Sequence, residues 1–484
     1  MARLTSFRPR PFGVAVALVA LVLAACGHSG TTPTTKATPT PLPTATGTSQ
    51  PACTDNSTGI AYLPDGGNGG SFQGVELMHF EAIGGQLCAF PAVVQVPFEG
   101  AVGPFWISSD GTFAAAAYST TGGPPFTQVQ AVGLAAAGII PEGSAYDVTQ
   151  VPTPAPSVTP TAYPSVLPVL SDVGALSSIG TKTSGVDLVA GFGNGLLALN
   201  SLPNVPLQFG GFAPYEGATP GPGYTSRPTI VASSETPPTT VLLRGSYDIL
   251  GYHTSLVATG YLFKQVSQAT NLGYGAGRVL RGNGGMALNP ADASYGIVIQ
   301  APQLNSVTAL SNLPSAINVG SIVSLPSTPR SVTISTGGTI AVVGADNGFY
   351  VLSGAKTGAL SLVHPFAPNP ADALANAPLF VGCDGALHRM TNVTSVRLSA
   401  DQRYLVVVGS PPSQVCSGGA NASLIALPFN TATGVQPTPS PVPTKGPTPA
   451  PPATPSPLPT AAPTMFTANG LINQPGDTDY LIVH

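Results

Sequence analysis

The chain has 484 residues, and only 7% of them are charged, 16 Lys and Arg against 20 Asp and Glu. Its 57 glycines and 53 prolines make up a little under a quarter of the residues, against about 12% in an average protein. These figures exclude a nucleic-acid binder, which needs a basic stripe, and a coiled coil or helical bundle, which needs long stretches free of Gly and Pro. What remains is an all-β chain of many short apolar strands and turns.

The first segment is an address. Arg3, Arg8 and Arg10 precede Phe12 to Ala25, a run without charge that is too short to span a hydrocarbon core of about 30 Å as a helix. A cationic head, an apolar middle and small residues at the end make residues 1–25 a secretory signal peptide. Leu23-Ala24-Ala25-Cys26 resembles the lipobox of bacterial lipoproteins. The resemblance implies that Cys26 becomes the acylated first residue of the mature chain, with enough acyl carbon for stable anchoring. Gly27 after the Cys resembles outer-membrane or surface-bound members of that class.

Residues 26–51 are small, polar and rich in Pro and Thr, with prolines at 33, 39, 41, 43 and 51. Such a segment cannot bury a core and extends near 3.1 Å per residue where it is polyproline-like. A second tract, 437–464, carries twelve prolines in 28 residues and reads as another linker. Beyond it, residues 465–484 form either a free tail or a docked hairpin, with a turn signal at Pro475-Gly476-Asp477 between two apolar pieces.

Residues 52–436 lack a helical pattern and contain an internal repeat. Three segments align without gaps: Ile107-Ser108-Ser109-Asp110-Gly111-Thr112-Phe113, Ile334-Ser335-Thr336-Gly337-Gly338-Thr339-Ile340 and Leu398-Ser399-Ala400-Asp401-Gln402-Arg403-Tyr404. Leu288-Asn289-Pro290-Ala291-Asp292, ahead of Tyr295 to Ile299, is a looser copy. Each predicts a strand, a tight polar turn and a second strand. Phe349 to Leu352 before Lys356-Thr357-Gly358, and Leu424 to Leu427 before Thr433-Gly434, predict an outer hairpin of the same unit.

This pairing resembles the bacterial YVTN and lactonase-like β-propellers, relatives of WD-repeat proteins. The resemblance is clearest over 325–365 and 385–435 and faint from about 150 to 275; the YVTN tetrapeptide itself is absent. It implies a β-propeller of about seven four-stranded blades, with six or eight possible, since a blade takes about 40–50 residues. A pair of β-sandwiches is the competing architecture.

Four cysteines remain in the exported part, Cys53, Cys88, Cys383 and Cys416, an even number that predicts disulfides. Cys53–Cys88 with Cys383–Cys416 is favoured because each pair falls within one unit. A bond joining the first and last units is the alternative. No C-x-x-C spacing points to a metal, and no cofactor motif is present: there is no G-x-S-x-G elbow, H-E-x-x-H helix or Walker A loop. Gly273 to Arg278 reads as a turn. The candidates for a binding or reactive cluster are Asp346, Asp384 and His388, since functional groups of a propeller converge from its loops on the central channel.

Three functions fit. The first is a binding or scaffold propeller at the bacterial cell envelope, anchored to the bilayer through acylated Cys26 and holding an envelope protein or glycan. The second is a lactonase-like hydrolase, which needs acids or histidines to meet at the channel mouth. The third is an accessory subunit of an envelope assembly complex. The balance leans away from catalysis.

Overall fold

The computed structural model describes residues 59–65, 74–83, 86–89, 94–107, 113–122, 124–135, 138–141, 145–149, 172–182, 185–192, 195–202, 205–214, 230–234, 238–244, 248–257, 260–268, 270–272, 285–300, 305–363, 379–381, 387–389, 391–399, 402–410, 423–429, 431, 466–467 and 482–483. The predicted signal peptide, both Pro-rich tracts, Cys26, Cys53, Cys383, Asp384 and Cys416 lie outside the described residues.

Every regular element among the described residues is a β-strand. The first sheet contains β1 (Gly59–Asp65), β2 (Gly74–Ile83), β3 (Gln86–Ala89) and β4 (Val94–Pro97). The second contains β5 (Ala101–Ile107), β6 (Phe113–Ser119), β7 (Gln128–Ala135), β8 (Gly138–Pro141) and β9 (Tyr146–Asp147). The third contains β10 (Ala175–Lys182), β11 (Gly185–Phe192), β12 (Gly195–Leu202) and β13 (Val205–Pro214). The fourth contains β14 (Ile230–Ser234), β15 (Thr239–Arg244), β16 (Asp248–Val257), β17 (Gly260–Gln265) and β18 (Thr270–Asn271). The fifth contains β19 (Met286–Leu288), β20 (Gly296–Gln300), β21 (Ser306–Ser311) and β22 (Asn318–Ser324). The sixth contains β23 (Pro329–Ile334), β24 (Ile340–Ala345), β25 (Gly348–Ser353) and β26 (Ser361–Leu362). After a small hairpin, β27 (Leu379–Val381) and β28 (Leu387–Arg389), the seventh contains β29 (Thr391–Leu398), β30 (Tyr404–Ser410), β31 (Ser423–Pro428) and β32 (Phe466–Thr467). The last strand, β33 (Ile482–Val483), returns to pair with β1 in the first sheet.

Each sheet is antiparallel, its main strands following in chain order while β4 pairs back on β2, β9 on β7 and β18 on β16, and neighbouring sheets pack face to face. In β24, Ala341, Val343 and Ala345 enter the core shared with the fifth sheet, alongside Ile297, Val307 and Tyr350. Ile340 and Val342, one residue out of phase, enter the core shared with the seventh sheet, alongside Val396, Leu405 and Val407. The same alternation holds in β11, where Leu188, Ala190 and Phe192 face the second sheet and Val189 the fourth. A strand buried on both faces reads as a continuous apolar run, because period-2 alternation distinguishes only a wet face from a dry one. These cores explain why Ala, Val and Leu fill the strands.

The first strands pack side by side: β5 on β10, β10 on β14, β14 on β19, β19 on β23, β23 on β29 and β29 on β33, with β1 against β5. The circuit therefore closes on itself, and the fold is a β-propeller. Its last turn is made by the C-terminal residues. Phe466 and Thr467 pair with Leu424 and Ser423, whereas Ile482 and Val483 pair with Tyr62 and Ala61. The two strands of the C-terminal piece thus sit in different sheets and do not form a hairpin with each other.

Candidate functional site

The repeated polar turn is the most regular local structure. The Ser335 hydroxyl accepts the Ile340 amide at 3.2 Å, and the Ser399 hydroxyl accepts the Tyr404 amide at 3.0 Å. The Ser335 amide donates to the Ile340 carbonyl and the Ser399 amide to the Tyr404 carbonyl, both at 2.9 Å. The residue three further on turns left-handed, Gly338 at φ 66° and Gln402 at φ 62°. A serine that closes the turn, followed by a left-handed position, is the physical content of the repeat.

These turns are also tied to one another. Asn289, fully buried, accepts the Ala291 and Asp292 amides on Oδ1 at 2.9 and 2.7 Å. Its Nδ2 crosses to the sixth sheet and donates to the Ser335 carbonyl at 2.7 Å and the Thr336 carbonyl at 3.2 Å. From the other side, Gln402 accepts the Thr336 amide on Oε1 at 3.1 Å while its Nε2 donates to Ser399. Thr339 reaches the Thr431 carbonyl at 3.3 Å. One rim of the ring is therefore a continuous hydrogen-bonded platform across the fifth, sixth and seventh sheets. Thr336, Thr339, Lys356, Thr357 and Arg403 stand exposed on it. Asp292 belongs to the same rim; the Ser294 hydroxyl, its backbone amide and the Lys356 charge hold the carboxyl below its ordinary value against a smaller opposing effect of burial. It remains a carboxylate rather than a proton donor.

The inner wall is closed by cross-sheet bonds. The Ser233 hydroxyl of β14 reaches the Ser178 carbonyl and lies 2.9 Å from the Ser177 hydroxyl of β10. Ser331 of β23, fully buried, accepts the Val396 amide of β29 at 2.8 Å. In return Arg397 Nη1 donates to the Val332 carbonyl at 3.2 Å and to Val396 at 2.8 Å. Backbone groups that a bare inner strand would leave open are thus occupied by small hydroxyls and a guanidinium.

The opposite rim holds one of the three candidates. Asp346, in the turn between β24 and β25, is gripped by Arg330 through two bonds, Nε to Oδ1 at 2.6 Å and Nη2 to Oδ2 at 3.0 Å. Beside it the Asn347 amide donates to Ser327, and Asn347 accepts the Tyr350 hydroxyl at 2.8 Å. His388 lies in β28, its backbone opposite Phe380, and Cys88 in β3 opposite Glu81; their side chains, like Asp384, are outside the described residues. Of the three candidates, Asp346 is the one whose side chain lies among the described residues, and there it bonds to Arg330. Among the described residues no group of three or more His, Cys, Asp or Glu gathers as a metal site would require.

Sequence reasoning missed Arg330, Arg397 and the inner-strand serines, because nothing local marks a bond to another sheet. It had a signal for Asn289 and Gln402: both occupy positions of the aligned turn, Asn289 in place of the serine and Gln402 in place of the glycine.

No protein-family model matches the chain, and no curated protein sequence matches it. Solved structures do. The chain is similar to a candidate 6-phosphogluconolactonase from Bacteroides uniformis, at 10% identity and TM-score 0.52, over 78% of this chain and 94% of that one. It is similar to a periplasmic gluconolactonase from Pseudomonas aeruginosa, at 10% identity and TM-score 0.50, with the same coverages. A protein from Lactobacillus plantarum matches at 10% identity and TM-score 0.50, also over 78% and 94%. At these identities the likeness shows the fold alone.

Proposed function

We propose that the chain is a binding or scaffold propeller of the bacterial envelope, exported by residues 1–25 and held to the membrane by an acylated Cys26. The Pro- and Thr-rich segment 26–51 then sets the ring off from the lipid. The observation that carries the binding role is the rim platform. Asn289, Gln402 and Thr339 fix adjacent turns to each other, so exposed hydroxyls and charges are presented with little left to order on binding. An envelope protein or glycan suits such a surface, which offers hydrogen bonds and few charges.

Hydrolysis of a lactone asks for more: a general base or nucleophile free to reach a carbonyl, with a donor beside it. Asp346 is committed to Arg330, and the hydroxyls and guanidinium described on the inner wall bond to neighbouring sheets. The test is turnover. The mature chain, incubated with gluconolactone and with 6-phosphogluconolactone, is expected to leave both at the buffer rate. Saturable hydrolysis that disappears in Asp346→Asn or His388→Ala would overturn the reading.

A further inference from the structure

One strand of the ring buries hydroxyls on both of its faces. β24 in the sixth sheet is buried along its whole length and carries no polar side chain. Its counterpart in the fourth sheet, β15, opens on Thr239 and Thr240, both fully buried. Their Oγ1 atoms find no hydrogen-bond partner among the described residues.

The strand register shows what surrounds each. Thr240 stands between Ser233 of β14 and Tyr252 of β16, and Tyr252 stands beside Gln265 of β17. Tyr252 packs in the core shared with the third sheet, and the Ser233 hydroxyl bonds across to Ser178. This polar row therefore faces the third sheet over the full width of the fourth. Asn200 of β12 alternates in phase with Leu196 and Ala198 of the same core, which turns it toward the fourth sheet. Its Oδ1 is another buried oxygen with no partner among the described residues. Thr239 lies on the opposite face of β15, in phase with Val241, which packs against the fifth sheet. Its row runs Ser234, Thr239, His253 and Lys264. Further down the sheet both faces turn apolar, with Val231 and Leu250 on one side and Val241 and Ile249 on the other.

A dry, unpaired hydroxyl is worse than a methyl, so valine in either place would fill the same space without an unmet polar group. Internal water resolves this where a site offers several polar neighbours. Each row offers them and leads outward, to half-buried Gln265 on one face and to exposed His253 and Lys264 on the other. No carboxylate stands in either row, which argues for water over a metal cation.

We propose that the fourth sheet is set into the ring through water. One long-lived internal water bonds the Thr240 hydroxyl between the third and fourth sheets, and another bonds the Thr239 hydroxyl between the fourth and fifth. These sites lie outside the rim platform of the fifth to seventh sheets and do not depend on it.

Magnetic relaxation dispersion of the water oxygen, measured on the full mature chain, counts waters held for longer than the ring takes to tumble. Thr239→Val combined with Thr240→Val is expected to lower that count by about two. Each single change should raise the unfolding constant in urea by about fivefold, the usual worth of one hydrogen bond. An unchanged count, or a valine that leaves the chain equally or more stable, would overturn the proposal. Should the double variant fail to fold, a crystal structure of the native chain decides. Water within hydrogen-bond distance of both Oγ1 atoms upholds the proposal, and a protein acceptor or empty density at either one overturns it.

Discussion

The side-chain amide of Asn289 donates to the backbone carbonyl of Ser335, joining the first turn of the fifth sheet to the same turn of the sixth across 46 residues of sequence. The bond is buried, and the same side chain shapes its own turn through Oδ1. Sheets in this ring are held apart by apolar cores; Asn289 is one of the points where they are positioned relative to each other by a directional bond.

Replacing Asn289 by Ala strands the buried Ser335 carbonyl and two turn amides. Leaving a buried group unpaired costs roughly 1–3 kcal/mol, so Asn289→Ala should lower stability by about 2–4 kcal/mol in urea denaturation. Asn289→Asp keeps the two amide bonds, loses the donor and sets a carboxylate against two carbonyls; it should be no better than Ala. A loss below about 0.5 kcal/mol would mean that the cross-sheet bond carries no weight.

Gly338 is fixed twice over. Its φ of 66° suits glycine, and the Tyr295 hydroxyl of the neighbouring sheet lies where a Cβ would stand. Gly338→Ala is expected to cost about 2 kcal/mol or more from left-handed strain and the clash together. Tyr295→Phe removes the obstructing oxygen, so in a double-mutant cycle the pair should lose less than the sum of the single changes. Strict additivity would contradict the contact.

Stability should depend on pH mainly at the extremes. Burial raises Tyr118, Tyr146 and Tyr295, with Glu99, Asp147 and Asp292 respectively adding to the effect. A raised tyrosine pKa means that the unfolded chain ionises first. Its stabilisation is complete below about pH 10 and falls away as pH rises above that value. Asp292 is lowered, chiefly by the Ser294 hydroxyl, so its contribution is complete above 3.8 and is lost as pH falls through its folded value. Thermal midpoints should be flat across neutral pH and fall at the alkaline end, and Asp292→Asn should flatten the acid end. A midpoint that dropped between pH 8 and pH 6 would point to a titrating group other than these.

The Arg330–Asp346 pair is two-pronged, yet both side chains remain more than a third exposed, at 38% and 37%. Solvent screening leaves such a pair worth about 0–1 kcal/mol. Asp346→Asn should therefore shift the denaturation midpoint only slightly, and the shift should shrink in high salt. A loss of several kcal/mol would show that the pair anchors the turn rather than decorating it.

How much of this could be read from the chain depends on where the bonding partners lie. The turns at Asn289, Ser335 and Ser399 announce themselves because serine closure and a left-handed position are local requirements with a local residue signature. Sheets three and four do not. Their hairpins use other turns, β10 to β13 being joined by two-residue connections, and residues 188–192 of β11 are buried on both faces, so neither turn nor alternation marks them. The C-terminal strands were opaque for a different reason: two residues pairing with a strand more than 400 positions away leave no periodic trace. At the site, the identity of Asn289 and Gln402 was visible, but their reach into the next sheet depends on the ring being closed.

The most direct test of the account is the mass of the mature N-terminal peptide. Digestion of the membrane-extracted protein with trypsin should release residues 26–36, beginning at Cys26 and ending at Lys36, with the added mass of acyl chains; Cys26→Ser should leave the membrane fraction. A mature chain that retains Met1 to Ala25, or begins with an unmodified Cys26, would contradict the placing of this propeller on the envelope by its own lipid.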